Sequence, residues 1–193
     1  ILTGKNTYSG PTLVNVGTLQ GNVSPSSVLT LSPGTIYNLG GQDQTIASLA
    51  GTGGTVALGA NTLSSGNSSS TAFSGTITGT GGELVITNAA TLTLMGANTY
   101  SGGTVLNQGT VSISSDNNLG EASGHLTLDA GILNTTATLT SSRVITLNGS
   151  GGTFQVDTAG NTTTLSGNIG GTGFLKTGAG LLVLTGNNNY IGP

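Results

Sequence analysis

The stretch LTGKNTYSGPTLVN at residues 2–15 returns as LMGANTYSGGTVLN at residues 94–107, and its opening returns again as LTGNNNYIGP at residues 184–193. The tyrosines Tyr8, Tyr100 and Tyr190 mark the copies and stand 92 and 90 residues apart. A second element, SGTITGTGG at residues 74–82, matches SGNIGGTGF at residues 166–174, so the long repeat has two parts. Near-duplication at a fixed period decides architecture before any local reading does, because each unit must bury its apolar face against its neighbour. The chain therefore divides as one segment, residues 1–193, with long repeats at 2–93 and 94–183 and the start of a third copy at 184–193.

A finer period runs inside each long repeat. Gly, usually with Thr, precedes an apolar residue in Gly17-Thr18-Leu19, Gly34-Thr35-Ile36, Gly54-Thr55-Val56, Gly75-Thr76-Ile77, Gly109-Thr110-Val111 and Gly152-Thr153-Phe154. Most of these glycines fall about 20 residues apart, a solenoid period. Alternating triplets such as Leu29-Thr30-Leu31 and Ile145-Thr146-Leu147 place aliphatic side chains on one face and Thr on the other. The spacing predicts about three short strands per coil, stacked at the roughly 4.8 Å strand spacing into a rod about 40 Å long. The predicted fold is all-β: a right-handed parallel β-helix of about eight to nine coils, part of a longer solenoid. A hairpin sandwich or barrel is the competing all-β reading, but Asn-Gly turns are scarce, Asn148-Gly149 being one. A propeller repeats too, at about 40 to 50 residues and with Trp-Asp signatures, and this chain has no Trp.

Composition fits stacked coils. Only 5% of the residues are charged, while Gly alone fills 35 positions; like charges stacked directly over one another would repel. With 34% apolar residues and a net charge of −3, the chain lacks the low hydrophobicity or high charge of disordered tracts. Its three basic residues, Lys5, Arg143 and Lys176, lie far apart, which is no nucleic-acid footprint. Cys is absent, so no disulfide or thiolate metal site can form. The longest aliphatic run, Leu181-Leu182-Val183-Leu184, is far short of the roughly 20 residues of a transmembrane helix. No signal peptide is visible in residues 1–20, and since the chain starts and stops inside a repeated motif, targeting segments are expected elsewhere in a longer protein.

The alternate-position motif is Gly4, Asn6, Tyr8 and Gly10; Gly96, Asn98, Tyr100 and Gly102; and Gly186, Asn188, Tyr190 and Gly192, each after a Leu. With the Gly-Thr-Gly elements at Gly79-Thr80-Gly81 and Gly171-Thr172-Gly173, it resembles the passenger-associated transport repeat of autotransporter passengers. The final copy departs at Ile191, where the others carry Ser, and at Asn189, where they carry Thr. The resemblance implies a β-helical passenger displayed at the bacterial surface or secreted, carried across the outer membrane by a β-barrel of the same polypeptide. A rigid stalk that aids secretion and folding is the role expected first. Next comes an adhesin or self-association surface for host glycans, proteins or like chains. From the residues themselves, the tyrosines are read as stacking or corner-capping groups, and the asparagines as bonding the backbone of turns. Because alternation would put Leu, Asn and Tyr on one strand face, Asn is expected to form a turn that rotates the rest.

Many parallel β-helices act on polysaccharides, which takes paired carboxylates or acidic calcium ligands with a basic group. The acids Asp43, Glu83, Asp116, Glu121, Asp129 and Asp157 form no tight cluster in sequence. The best group is Asp116, Glu121 and, one coil away, Asp129, with His125 between them. Its ordinary reading is a loop, Ser115–Gly120, that bulges from the solenoid and carries solvated acids. Gly151-Gly152 is followed by Thr153-Phe154 rather than a calcium-binding nonapeptide, and Gly51-Thr52-Gly53-Gly54 lacks the Lys and helix of a phosphate loop. No catalytic, cofactor-binding or metal-binding residues are assigned, and the chain is read as not an enzyme.

Overall fold

Strands of 3 to 5 residues form wherever Thr, Leu, Val and Ile alternate, and glycine or asparagine corners end them. The computed structural model describes residues 1–66 and 69–192, so Pro193, which closes the third copy, lies outside the described residues. Strands pair in parallel with the equivalent strand of the turn before and the turn after. Parallel neighbours need a long connection, and here that connection is the rest of the turn.

Three sides result. One is an unbroken nine-stranded sheet from Thr12–Val14 to Phe174–Thr177, so eight turns separate its ends. The next strand in each turn lies on a divided side: a four-stranded sheet from Thr18–Gln20 to Thr76–Thr78, then a three-stranded sheet from Leu139–Ser141 to Leu181–Leu184. The remaining side is a seven-stranded sheet from Gln44–Ile46 to Ile169–Gly171. Turn length varies: Thr12 stands under Leu29, and Val111 under Leu133, so the first turn is five residues shorter.

Register keeps like over like. On the seven-stranded side Leu63, Leu84, Thr104, Leu126, Ile145 and Ile169 form one inward column, and on the divided side Leu19, Tyr37, Val56 and Ile77 form another. The buried apolar residues from Val14 to Ile169 make one continuous cluster. Hydroxyls enter this interior as well as lining the outside. Thr104 and Thr163 are buried, and Thr163 Oγ1 meets Thr135 Oγ1 at 2.6 Å, so the inserted polar atoms bond to each other rather than to water. The two long repeats even share corner geometry. Asn88 at φ +80° and Gly178, 90 residues on, at φ +77° occupy the same left-handed position, which Asn tolerates among non-glycine residues.

Candidate functional site

The second motif copy is enclosed on both sides by other turns. Its strand Thr91–Leu94 belongs to the nine-stranded sheet, and the chain then crosses to the divided side without forming a strand there. Alternation continues through the crossing: Leu92, Leu94, Asn98 and Tyr100 face inward, while Met95, Ala97 and Thr99 are exposed. The rotation expected at Asn does not occur here. An inward asparagine is tolerated because neighbouring turns use its polar atoms. Ile77 N–H donates to Asn98 Oδ1 at 2.7 Å, and Thr99 N–H donates to the Ile77 carbonyl at 2.9 Å. In an uninterrupted parallel pair the first of those bonds would go to a backbone carbonyl. Asn98 therefore substitutes side-chain amide for peptide.

Above it, Asn98 Nδ2 donates to the Asn118 carbonyl at 2.5 Å and Asn118 Nδ2 donates back to the Gly96 carbonyl at 2.9 Å. Asn118 Oδ1 also accepts from the amides of Ser114 and Ser115, which holds the short 3-10 helix Asp116–Leu119 against the turn. The two asparagines make a reciprocal clasp between successive turns. Tyr100 is fully buried and its Oη lies 2.6 Å from Thr104 Oγ1. Burial pushes its phenol up to about 12, against smaller opposing effects of the Thr104 hydrogen bond and the Arg143 charge.

The other copies show parts of the same arrangement. In the third, Ile169 N–H donates to Asn188 Oδ1 at 2.9 Å and Asn189 N–H donates to the Ile169 carbonyl at 2.9 Å. In the first, Asn6 Nδ2 donates to the Asn22 carbonyl at 2.6 Å and Asn22 Nδ2 donates to the Gly4 carbonyl at 3.3 Å. Asn22 and Asn118 escaped sequence reasoning; the one signal was an Asn about a turn after Asn6 and after Asn98. The two-part repeat now has a physical reason: SGxI is the strand directly beneath the motif. A Cβ on Gly96 would run into the Gly75 carbonyl, and one on Gly186 into that of Gly167. Gly102 likewise rests on Gly81 and Gly82, and Gly192 on Gly173, whereas Gly4 and Gly10 face open space below the first turn.

The tyrosines differ with position. Tyr8 is 39% exposed and bonds Thr12 Oγ1 at 2.8 Å, repeating the Tyr100 and Thr104 pair at the surface. Tyr190 packs edge-on against Phe174, with ring centroids 5.2 Å apart.

A second polar centre lies just above the Asn98 clasp. Arg143 is 2% exposed, and all five of its side-chain N–H donors are directed into the segment 116–124. Nε donates to Asp116 Oδ1 at 2.9 Å, one terminal nitrogen to the carbonyls of Glu121 and Gly124, and the other to those of Asp116 and Gly120. The expected bulge of solvated acids is thus corrected: Asp116 is ion-paired, and Asn118 and Leu119 are buried. Lone arginine in so uncharged a chain was the available hint. The group Asp116, Glu121, Asp129 and His125 does not converge. Asp129 Oδ1 accepts from the Ser150 amide, and His125 Nε2 instead lies 3.6 Å from Glu83 Oε1. Among the described residues no three His, Asp or Glu side chains are placed to share a metal ion.

The passenger-associated-transport-repeat family matches residues 1–20, 87–113 and 174–193, which are the three motif copies with their flanks. The chain is 42% identical over 177 residues to the adhesin BmaC autotransporter of Brucella suis biovar 1 (strain 1330). That match takes in 91% of this chain and 5% of the Brucella protein, so the chain spans a small fraction of its relative. No solved structure matches it. Three copies of the repeat on a parallel solenoid, with that identity along 91% of the chain, mean that it belongs to the repeat-bearing autotransporter passengers.

Proposed function

We propose that the chain is a rigid stalk segment of a passenger displayed outside the cell and tethered to the outer membrane by a β-barrel of the same polypeptide. The observation that carries this reading is the single apolar column from Val14 to Ile169, shared by turns that each pair with the next. In such a quasi-one-dimensional stack, length is set by the number of turns and stiffness by continuous pairing. Folding outside the membrane also helps secretion, since parallel, nonlocal pairing is slow enough for the chain to emerge before it stacks. Excising one whole turn, Val28–Ala47, tests the stalk: the strands Val28–Leu31 and Ser48–Gly51 are in register, so the new junction joins equivalent positions. The shortened chain should keep its circular dichroism, and its rod should contract by about one strand spacing in small-angle scattering. Loss of all structure would show a globular unit instead.

An adhesive surface is the second reading, favoured by the similarity to a Brucella relative named as an adhesin. Flat polar faces suit many weak contacts with host glycans or with like rods. Glycan arrays and concentration-dependent sedimentation both lacking any binding would remove it. Lyase or hydrolase chemistry finds no support in the dispersed acids Asp116, Glu121 and Asp129.

A further inference from the structure

We propose that the Asn-Tyr motif is a register lock: its asparagine, clasped with an asparagine one turn later, fixes how successive turns stack. This rests on the clasp geometry and stands whether or not the rod acts as a stalk. The need for a lock follows from the sequence pattern. A one-residue slip turns every side chain to the wrong face, but a two-residue slip keeps aliphatic residues inward. Moving Leu126-Thr127-Leu128 by two positions over Thr104-Val105-Leu106 still sets inward against inward. Hydrophobic patterning therefore leaves such slips close in energy.

Asn98 separates them. In register, Oδ1 accepts from Ile77 N–H and Nδ2 reaches the Asn118 carbonyl, while Asn118 Nδ2 reaches Gly96. Slipped by two, a side chain that is 3% exposed would set those atoms among aliphatic groups with no partner. A single buried asparagine fixes register in coiled coils by the same physics. The placement of the copies agrees. On the divided side the order is Thr76–Thr78, Asn98, Asn118, then Leu139–Ser141, so one sheet ends beneath the clasp and another begins above it. On the seven-stranded side Asn6 and Asn22 lie beneath the first strand, Gln44–Ile46, and Gln44 Nε2 donates to Asn22 Oδ1 at 2.7 Å. Asn188 sits over the last strand of that side, Ile169–Gly171. The second copy thus stands where a sheet is interrupted and backbone pairing on that side cannot carry register across, and the first and third copies bond to the first and last strands of the seven-stranded side.

The chain has no cysteine, so disulfide trapping after refolding can read register directly. Val105 and Thr127 stand opposite each other on outward faces, and Val105 with Asp129 reports a two-residue slip. In the otherwise native chain, Val105→Cys/Thr127→Cys should link and Val105→Cys/Asp129→Cys should not. Adding Asn98→Ala and Asn118→Ala should raise the slipped link about tenfold, the factor expected from two lost hydrogen bonds of ordinary net strength. A slipped yield that stays at the native level in a folded chain overturns the proposal. So does an equal rise in Asn134→Ala, which loses an outer bond to Asp157 without touching the clasp. Should the Asn98 variant fail to fold, Asn6→Ala/Asn22→Ala moves the test to the first turn. There Leu13→Cys/Thr30→Cys reads the native register and Leu13→Cys/Ser32→Cys the slip, with the same two outcomes deciding.

Discussion

Replacing Arg143 by Met keeps most of the apolar stem and removes the guanidinium, which makes it the sharpest test of what holds the segment 116–124. The native side chain spends five donors on one carboxylate oxygen and four carbonyls, and it is 1% exposed beside an Asp116 that is 20% exposed. Removing one partner from a buried ion pair costs about 3 to 5 kcal/mol, because the remaining groups lose their compensation. Partial exposure lets Asp116 find water, so the lower half of that range, about 3 kcal/mol, is the expected loss. Arg143→Lys keeps the charge but only three donors on a flexible stem, and should lose about 2 kcal/mol. Hydrogen exchange at Glu121, whose amide bonds the Tyr100 carbonyl, and at Gly124, whose amide bonds the Glu121 carbonyl, reads the local effect. With tenfold for each 1.4 kcal/mol, Arg143→Met should speed both by about a hundredfold. The acceleration should survive high salt, since buried pairs are screened weakly. If Met costs under about 1 kcal/mol and leaves exchange unchanged, the Asn118 bonds hold the segment and the arginine does not.

Tyr100→Phe should cost about 1 to 2 kcal/mol in urea unfolding, because it leaves the buried Thr104 hydroxyl without its partner, whereas Tyr8→Phe at the surface should cost under about 0.5 kcal/mol. Adding Thr104→Val to Tyr100→Phe should recover most of that loss. In alkali, the Tyr100 phenol is neutral in both states below its ordinary 10.0, and from there to about 12 only the unfolded chain releases the proton. Stability should accordingly fall from pH 10 upward, and less steeply in Tyr100→Phe; identical alkaline profiles would refute this. Gly96→Ala should cost about 3 kcal/mol by overpacking against Gly75, while Gly4→Ala, the same motif position facing open space, should change thermal stability by under about 0.5 kcal/mol.

Stacked parallel strands were legible because their signals are local. Leu29-Thr30-Leu31 and Ile145-Thr146-Leu147 alternate as written, and each lies in a strand with the aliphatic residues inward. The motif asparagines were legible as backbone-bonding groups in kind but not in address. Asn98 bonds Ile77, 21 residues before it, and Asn118, 20 residues after it, while Asn6 reaches Asn22 over 16. Such partners are set by turn length, which varies with corner and loop insertions and follows no fixed spacing. Arg143 was illegible for the same reason: its acceptors lie 19 to 27 residues upstream, in a segment whose acids look solvated when read alone.

Turn length also decides what the repeats can present to a partner. Leu2 bridges Gly21 on the divided side, Leu94 lies in the nine-stranded sheet, and Leu184 is back on the divided side. Between the first two the chain makes four turns and passes two further sides; between the last two it makes four turns and passes one. Copies 92 and 90 residues apart are thus not a whole number of turns apart, and the middle copy faces another way. A ligand that bound a stripe along the rod would meet the motif on one side at its ends and lose it at the centre. A joint has no such requirement, because each copy acts only on the turns directly above and below it. Rotation between copies therefore favours a role inside the stack over one on its surface, and where the divided side breaks between Thr76–Thr78 and Leu139–Ser141 the other two columns of strands continue past it.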